Sequence, residues 1–311
     1  MTTEPGPDDR HEQRLDSLMS ERRQLINLAY RLLGSLADAE DVVQETYARW
    51  YAMSPNQQQA IASPGAWLTR VAGRVCLDLL GSARVRRERY VGEWVPEPLP
   101  DRGEWSEARS GDPADRVTLD ESVSMAFLVV LESMTPAERV AFILHDVFGY
   151  PFADVAEIVG RSPAACRQLA TSARRRIDAA RPAAAPTAEQ ARVVRGFKQA
   201  WEARDINALI GFLDPAATAI ADGGGQVNAA PRPIEGSEQI ARYLVDVSGR
   251  IRGVTILECT VNGQPGLVTQ MDHTVTAVVA FDIADNRIRR VWAVRNPDKL
   301  RRWTTGQLVR Q

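Results

Sequence analysis

The side chains with the clearest chemical use lie between residues 161 and 176. Arg167, Gln168 and Ser172 carry donors and acceptors that suit the exposed edges of DNA bases in the major groove. The same stretch carries arginines that suit phosphate groups, and phosphate contacts position a protein on DNA without reading its sequence. These arginines are Arg161, Arg174, Arg175 and Arg176. The chemistry indicated is non-covalent recognition of a nucleic acid.

Residues 152–177 have the pattern of a helix-turn-helix that would present these donors. Apolar residues supply one side of a first helix, Gly160 permits the turn, and Ser162 caps a second helix. Such a motif places the start of its second helix in the major groove. Cys166 is predicted to pack inward. The alternative is a basic last turn that only complements the helix dipole.

A second constellation, residues 38–50, has a different character. At helical spacing Val43, Tyr47 and Trp50 fall on one side, and the opposite side is polar and partly acidic. Asp38 is the predicted N-cap of this helix, because its side chain can accept from an amide of the first turn. The acidic residues that follow it lie in the first turn, where the helix dipole favours negative charge. Amphipathicity alone leaves two interpretations open, a solvated outer face and a docking surface for another protein.

Together the two segments resemble the paired modules of bacterial sigma factors of the sigma-70 family. Residues 38–50 resemble region 2.2, which docks on the clamp of the RNA polymerase β′ subunit, and residues 152–177 resemble region 4.2, which reads the −35 promoter element. The pairing without other regions resembles the extracytoplasmic-function type. The resemblance implies core RNA polymerase, including its β flap, and promoter DNA as partners. Polymerase binding is then assigned to Asp38, Asp41, Gln44, Glu45 and Arg49, and −35 binding to Arg161, Arg167, Gln168, Ser172, Arg174 and Arg175.

Residues 67–84 resemble regions 2.3 and 2.4 of the same family, which contact the −10 element. A basic strip in this segment suits phosphate contacts. The preceding loop, residues 51–63, carries amides that could read an extruded base by its exposed edge. The alternatives are a flexible polar loop and a core position for the tryptophan. The −10 residues implied are Asn56, Gln57, Trp67, Arg70, Arg74 and Arg84.

Composition excludes several other classes of protein. The chain has 38 basic and 40 acidic side chains, so any DNA-binding surface must be local. Three distant cysteines and three scattered histidines argue against a disulfide framework or a metal site, and we predict neither metal nor cofactor. The polar N-terminus is unlike a signal peptide, and no apolar run is long enough to span a bilayer. A cytoplasmic protein without a membrane partner is predicted.

Changes in pattern divide the chain into modules. Helical periodicity over residues 14–90 gives way to a proline-rich, acidic linker over 91–118 and returns over 119–181. After a second, shorter linker, residues 187–311 show helices and then β-branched runs, which predicts an α+β domain with a curved antiparallel sheet. The fold class is therefore multidomain, with two all-α modules and one α+β domain. The predicted helices of that domain are 188–203 and 205–213, and its predicted strands are Val254–Val261, Leu267–Met271, Thr274–Phe281 and Arg287–Arg295.

The C-terminal domain resembles the nuclear-transport-factor-two-like cone, in its polyketide-cyclase-like branch. Residues 90–98, 222–225 and 296–300 resemble motifs of the sigma-J type of sigma factor, in which the fused cone regulates the sigma core in cis. Two positions depart from those motifs, with Glu93 in place of proline and Gln226 in place of lysine. The regulatory contacts between domains are assigned to Asp222, Gly223, Gly224, Gly225, Asn296, Pro297, Asp298 and Lys299, and we predict that these loops touch the region 2 module.

A cone of this kind could also bind a small molecule or catalyse a reaction. Asp222, Asp272, His273 and Trp292 are available as polar groups, but no two of them have a spacing that demands chemistry. We therefore predict that the protein is not an enzyme and keep the cone as a candidate site for a small-molecule ligand.

The predicted function is a sigma factor that reads −35 and −10 elements under control of its cone. A one-component regulator that binds DNA without polymerase is the alternative, and a cyclase-like enzyme fused to a DNA-binding module is the third hypothesis.

Overall fold

The structure, a computed structural model, describes residues 21–87, 90–100, 123–180, 187–250 and 253–304. These residues form two compact units. The first unit runs from the first described residue to Arg84 and from Met134 to Arg175, and the second contains the other described residues.

The N-terminal part of the first unit is helical, as its apolar spacing predicts. Its helices are 21–33, Leu36–Tyr51, Pro55–Gln59 and Pro64–Arg87. Leu25, Leu28 and Leu32 recur at helical spacing and are buried, and so are Val42 and Val43 of the following helix.

Two local predictions in this part need correction. Ser35, not Asp38, is the N-cap of helix Leu36–Tyr51, because the Ser35 hydroxyl accepts from the Asp38 amide at 3.3 Å. The predicted loop over residues 51–63 contains helix Pro55–Gln59, which begins with a capping box formed by Ser54 and Gln57. The proline at its first position also favours a helix start.

The C-terminal part of the first unit contains the predicted helix-turn-helix. Helix Pro136–Phe142 continues into a π-helical turn, Ile143–Val147, and the motif follows as helices Phe152–Val159 and Pro163–Ala180. Gly160 between them has φ +70°, a left-handed conformation that glycine adopts readily. The Ser162 hydroxyl accepts from the Ala165 amide at 3.2 Å, and Cys166 is fully buried, as predicted.

The second unit contains the α+β domain. Helices Thr187–Glu202 and Ile206–Phe212 precede strand β1 (Leu213–Asp222) and the short β2 (Ile234–Glu235). Helix Ser237–Arg250 leads to a meander of four strands, β3 (Thr255–Val261), β4 (Gln264–Met271), β5 (Thr274–Ala284) and β6 (Arg287–Val294). The sheet order is β2-β1-β6-β5-β4-β3. All pairs are antiparallel except β1 with β6, so the sheet is mixed.

Each face of this sheet is covered by a different part of the chain. Val279, Phe281 and Ile283 of β5 point to the core formed with the three helices. Their alternating neighbours, such as Val278 and Ala280, point to a second core. That second core is completed by linker residue Val95, helix Met125–Glu132 and the C-terminal 3₁₀-helix Pro297–Leu300, which continues into helix Arg301–Thr304.

Helix Met125–Glu132 therefore packs on the cone sheet, although the sequence assigns it to the second all-α module. Met125 is buried in the second core, and Ala126 and Val129 pack against it. The helix-turn-helix that follows it in sequence belongs to the first unit. The predicted module 119–181 is thus divided between the two compact units.

Candidate functional site

The polar side of helix Leu36–Tyr51 is open to solvent. Asp41, Gln44, Glu45 and Arg49 are exposed, whereas Asp38 is half-buried. The Arg49 guanidinium donates to the Glu45 carboxylate one turn away, at 3.0 Å, and both side chains are about half exposed. Such a pair adds little to stability. The surface can therefore exchange these contacts for a protein partner at low cost.

The predicted −10 strip is occupied by contacts with the helix-turn-helix of the same unit. Arg70 forms an ion pair with Glu157 at 2.8 Å. Arg74 donates to the main-chain carbonyls of Glu157 and Ile158, each at 3.2 Å. A Cβ added to Gly73 would stand 3.1 Å from the Ile158 side chain, so the helices approach closely here. Phosphate binding by these arginines requires that the contacts open.

The other predicted −10 residues differ from one another in exposure and in contacts. Asn56 is exposed, while the side chain of Gln57 accepts from the Ser54 amide at 2.8 Å as part of the capping box. Trp67 is half-buried and meets Trp50 edge-on, with ring centroids 5.3 Å apart. Arg84 lies in helix Pro64–Arg87, and its side chain is outside the described part of the chain.

Four of the predicted −35 residues are exposed. They are Arg161, just before the second helix of the helix-turn-helix, and Arg167, Gln168 and Arg175 within it. The Arg167 guanidinium lies over the Phe152 ring, 5.2 Å from its centroid, which holds the side chain at the start of the helix.

Two predicted −35 residues are engaged within the unit instead. The Ser172 hydroxyl donates to the Glu138 carboxylate at 2.7 Å, and Arg174 forms an ion pair with Asp146. These contacts fix the second helix against the preceding helices. Direct reading of bases by Ser172 would require its hydrogen bond to Glu138 to break.

The three motifs that resemble the sigma-J type meet at one buried carboxylate, Asp222, at the end of β1. Asp222 is fully buried and accepts four hydrogen bonds. Two donors belong to the linker: the Tyr90 hydroxyl at 2.6 Å and the Val95 amide at 3.0 Å. The other two are the Gly224 amide at 3.0 Å and the Lys299 ammonium at 2.7 Å. We call Tyr90, Trp94, Val95, Asp222, Asn296 and Lys299 the linker clamp.

The remaining contacts of the linker clamp satisfy the Lys299 charge and the Tyr90 hydroxyl. Lys299 is buried, donates also to the Val95 carbonyl, and lies over the Trp94 ring at 4.2 Å from its centroid. The Asn296 amide donates to the Tyr90 hydroxyl at 2.9 Å. A buried ion pair needs such additional hydrogen bonds to compensate for lost hydration. The linker is thereby held to the cone over residues 90–100, and Val95–Leu99 within this segment are buried.

The glycine run is required by close approach within the linker clamp. Gly224 and Gly225 have φ of +62° and +70°. A Cβ on Gly224 would stand 2.5 Å from the Asn296 side chain, and one on Gly225 would stand 2.9 Å from Val91. Within the second unit the run thus meets a neighbouring loop of the cone and the linker, and its contact with region 2 stays a prediction.

The position that departs from the glycine motif retains a polar contact. The Gln226 side chain donates to the Asp298 carboxylate at 2.7 Å. Arg301 also donates to Asp298, at 2.6 Å, and these two hydrogen bonds, led by that of Arg301, lower the pKa of Asp298. Glu93, the other departure, is half-buried in the linker. Pro297 begins the 3₁₀-helix that carries Asp298 and Lys299.

The linker clamp predicts a loss of stability at high pH. Burial and the hydrogen bond to Asp222 raise the pKa of Tyr90, so the folded state favours the neutral phenol. The resulting stability is fully present below the ordinary tyrosine pKa of about 10 and is lost as pH rises above it. We expect protection of the linker from proteolysis to be constant between about pH 6 and 9 and to fall above about 10.

Tyr90→Phe is the matched control for this prediction, because it retains the ring and removes the hydroxyl. The difference in linker protection between the wild-type chain and Tyr90→Phe should shrink as pH rises past about 10. A difference that stays constant across that range would show that the hydroxyl does not couple to the linker clamp.

The polar groups considered for catalysis do not converge. Asp222 is committed to the linker clamp. Asp272 and His273 form the exposed turn between β4 and β5, both with positive φ. Trp292 is buried in the second core. Among the residues that the structure describes, no group of three metal-binding side chains is found, and none of the helices is long and apolar enough to cross a membrane.

Sequence reasoning missed Tyr90, Trp94 and Val95 as functional residues, although the motif that contains them was noticed. It also missed Arg295, which follows β6 and lines a cavity in the cone. Tyr90 is 132 residues from Asp222 in the chain, so no spacing rule connects them. The sequence feature that could have connected them is that residues 90–98, 222–225 and 296–300 all resemble motifs of the same type of sigma factor.

Comparisons with known proteins agree with this architecture. Residues 18–86 match the family model of sigma-70 region 2, and residues 124–177 match that of sigma-70 region 4. The chain is 37% identical over 292 residues to the extracytoplasmic-function RNA polymerase sigma factor SigJ of Mycobacterium tuberculosis, covering 89% of this chain and 90% of that protein. It is 34% identical over 283 residues to the probable sigma factor SigI of the same organism, covering 90% and 92%.

A solved structure shows the same fold over nearly the whole length. The crystal structure of the Mycobacterium tuberculosis sigma factor SigJ superposes with a TM-score of 0.72 at 34% sequence identity. The match covers 95% of this chain and all of that one. The chain therefore shares its fold with SigJ over nearly its whole length.

Proposed function

Because the chain belongs to the extracytoplasmic-function family of RNA polymerase sigma factors, it directs promoter-specific transcription initiation, and we propose that its cone controls that activity in cis through the linker clamp. The carrying observation is the set of four hydrogen bonds by which Asp222 joins the linker, the glycine run and Lys299. The linker follows region 2 directly in the chain and precedes region 4. A device that fixes the linker is thus placed to set which arrangements the two promoter-binding modules can adopt.

Polymerase docking is proposed for the exposed side of helix Leu36–Tyr51. Asp41, Gln44, Glu45 and Arg49 are exposed on one side of a helix whose other side is buried. Half-buried Asp38 is proposed as the edge of this surface. Asp41→Arg should weaken binding to core polymerase, while the same reversal at Asp285, an exposed turn residue of the cone, should not. Equal binding by the two variants would move the docking surface elsewhere.

Reading of the −35 element is proposed for Arg167 and Gln168, with phosphate contacts from Arg161 and Arg175. Arg167→Ala should cost about 1–3 kcal/mol at one promoter position, because a bidentate base contact is lost there. Arg175→Ala should weaken binding equally on all promoter sequences and reduce its salt dependence. The measurement is binding of the polymerase holoenzyme to a set of promoters with single substitutions at several salt concentrations. Uniform losses for Arg167→Ala would place that residue among the phosphate contacts.

Contact with the −10 element is proposed for Asn56, Arg70 and Arg74, and contributions from Gln57, Trp67 and Arg84 remain predictions. Arg70 and Arg74 are engaged by Glu157 and by the end of helix Phe152–Val159. An exposed ion pair and two hydrogen bonds of 3.2 Å are weak enough for DNA phosphates to replace. We infer that binding of −10 DNA separates this strip from the helix-turn-helix.

The protein is proposed to have no enzymatic activity of its own and to act in the cytoplasm, where RNA polymerase transcribes. The sigma factors are not an enzyme family, and the acidic groups considered for catalysis are committed to the linker clamp or exposed in a turn. A second role, binding of a small molecule by the cone, is favoured by a cavity of about 490 Å³ in that domain.

Run-off transcription with core polymerase, comparing the full chain with a chain ending at residue 181, tests the cis control. Equal transcript yields from the full and the shortened chain would contradict the proposal that the cone controls sigma activity in cis.

A further inference from the structure

The cone contains a cavity of a size that suits a small molecule. Its volume is about 490 Å³, within the range of about 300–1,000 Å³ that ligand pockets occupy. Trp201, Tyr243 and Leu244 form part of its apolar wall, and Val254 and Ile256 extend it. A wall of aromatic and aliphatic side chains favours a ligand whose body is apolar.

Two of the three charged side chains in the described lining of this cavity are cationic. Arg295 and Arg204 both line it, and no carboxylate among the described residues forms an ion pair with either of them. Arg295 donates to the main-chain carbonyl of Asn228, and Arg204 donates to that of Ser248. The single carboxylate in the described lining, Glu202, is exposed and lies 3.3 Å from the Lys198 ammonium.

Arg295 is the better placed of the two arginines to bind an anion. It is half-buried, whereas Arg204 is exposed at the rim. Electrostatic attraction is stronger where water is partly excluded. A guanidinium presents parallel N–H donors that match the two oxygens of a carboxylate. A carbonyl oxygen is a neutral partner, so no described residue forms an ion pair that compensates the positive charge of Arg295.

We infer that the cavity binds an apolar carboxylic acid as a non-covalent effector, with Arg295 as the partner of the carboxylate. This inference rests on the small-molecule role proposed above and adds the chemical class of the ligand. The hydroxyls of Thr269 and Thr276, 2.8 Å apart, are further polar contacts for the ligand body. The described lining contains no histidine, aspartate or cysteine, and its one carboxylate, Glu202, is exposed and paired with Lys198, so the site is better suited to binding than to general acid–base chemistry.

Two residues of the cavity wall, Ala221 and Arg295, are chain neighbours of the linker-clamp residues Asp222 and Asn296, which gives the ligand a route to regulation. Ala221 lines the cavity and immediately precedes Asp222. The amides of Arg295 and Asn296 both donate to the Asp222 carbonyl, at 2.7 and 3.0 Å. A ligand that draws the Arg295 side chain away from Asn228 therefore acts on the segment that holds Asn296 against Tyr90.

The test is isothermal titration calorimetry on the full chain with matched pairs of probes. The probes are 2-naphthoate with 2-naphthamide, and decanoate with decanamide, which differ only in the charged group within each pair. We expect at least one carboxylate to bind tenfold or more tightly than its amide. Arg295→Gln should abolish that preference, and Arg192→Gln, which changes an exposed arginine outside the cavity, should retain it.

Arg295→Lys provides a second variant if the glutamine variant does not fold, since it keeps the charge and loses the forked donors. An intermediate preference for the carboxylate is expected for it. Equal affinity of acids and amides, or no binding by any of the four probes, would overturn the inference. Neither result would affect transcription by the unliganded chain, so the failure of this inference is distinct from the failure of the proposed cis control.

Discussion

Asp222→Ala is expected to release the linker from the cone and to lower the free energy of unfolding of the second unit by about 3–5 kcal/mol, the usual cost of removing one partner of a buried ion pair. The carboxylate is fully buried and its oxygens accept from Tyr90, Val95, Gly224 and Lys299. Its removal leaves the buried Lys299 ammonium without a carboxylate. Two contacts to the linker disappear in the same step.

The effect of Asp222→Ala is measured by chemical denaturation together with limited proteolysis of the linker. Asp285→Ala is the matched control, because Asp285 forms an ion pair with Arg289 while its side chain is 87% exposed. That variant should unfold like the wild-type chain. If Asp222→Ala leaves both stability and linker protection unchanged, the hydrogen-bond network around Asp222 does not hold the linker.

Gly224→Ala is expected to cause the second large loss of stability, about 2–5 kcal/mol. An alanine at φ +62° costs about 1–2 kcal/mol by itself. The added methyl group would also stand 2.5 Å from the Asn296 side chain. Asn296 cannot move aside without breaking its hydrogen bonds to the Tyr90 hydroxyl and the Asp298 amide, and losing such buried hydrogen bonds costs about 1–3 kcal/mol more.

Two other glycines separate the causes of that loss. Gly253 has φ +81° with open space around it, so Gly253→Ala measures the conformational strain alone. Gly211 lies in a helix, with open space around it, and Gly211→Ala should be neutral or stabilising. Thermal denaturation of the three variants should rank Gly224→Ala as the least stable. Equal losses at Gly224 and Gly253 would mean that the contact with Asn296 contributes nothing.

The helical modules could be predicted from sequence because their signals are local. Paired start signals, such as Ser162 before Pro163, lie within one helical turn of the structure that they specify. Apolar residues at helical spacing identified the buried side of helix Leu36–Tyr51 correctly. The N-cap was misplaced by three residues because Ser35 and Asp38 are both good caps, and side-chain type alone does not choose between them.

The cone was predicted less completely because its first strand carries a weak signal. Strand β1 is rich in alanine and contains Pro215, and both residues disfavour strands when read locally. Its parallel pairing with β6 supplies the stabilisation that its sequence does not indicate. Helix Ser237–Arg250 was also missed, although its core-facing residues Ile240, Ala241, Leu244 and Val245 recur at helical spacing.

The linker clamp and the contacts of the −10 strip could not be derived from sequence at all. Most of their partners lie far apart in the chain, by 84 residues for Arg74 with Ile158 and by 204 for Lys299 with Val95. The positive charge of Arg74 suggested a contact with DNA phosphates. A sequence pattern does not show that the same guanidinium also donates to main-chain carbonyls of the protein. The proline-rich sequence predicts an extended spacer, and residues 91–100, the part of the linker that the structure describes, pack on the cone.

The most direct test of cis control is run-off transcription by core RNA polymerase with four full-length chains: wild type, Asp222→Ala, Tyr90→Phe and Asp285→Ala. If the linker clamp sets sigma activity, Asp222→Ala and Tyr90→Phe should change transcript yield in the same direction, in proportion to the linker release measured by proteolysis. Asp285→Ala should match the wild type. Transcript yields that remain equal while Asp222→Ala releases the linker would contradict the proposal that the cone acts through this contact.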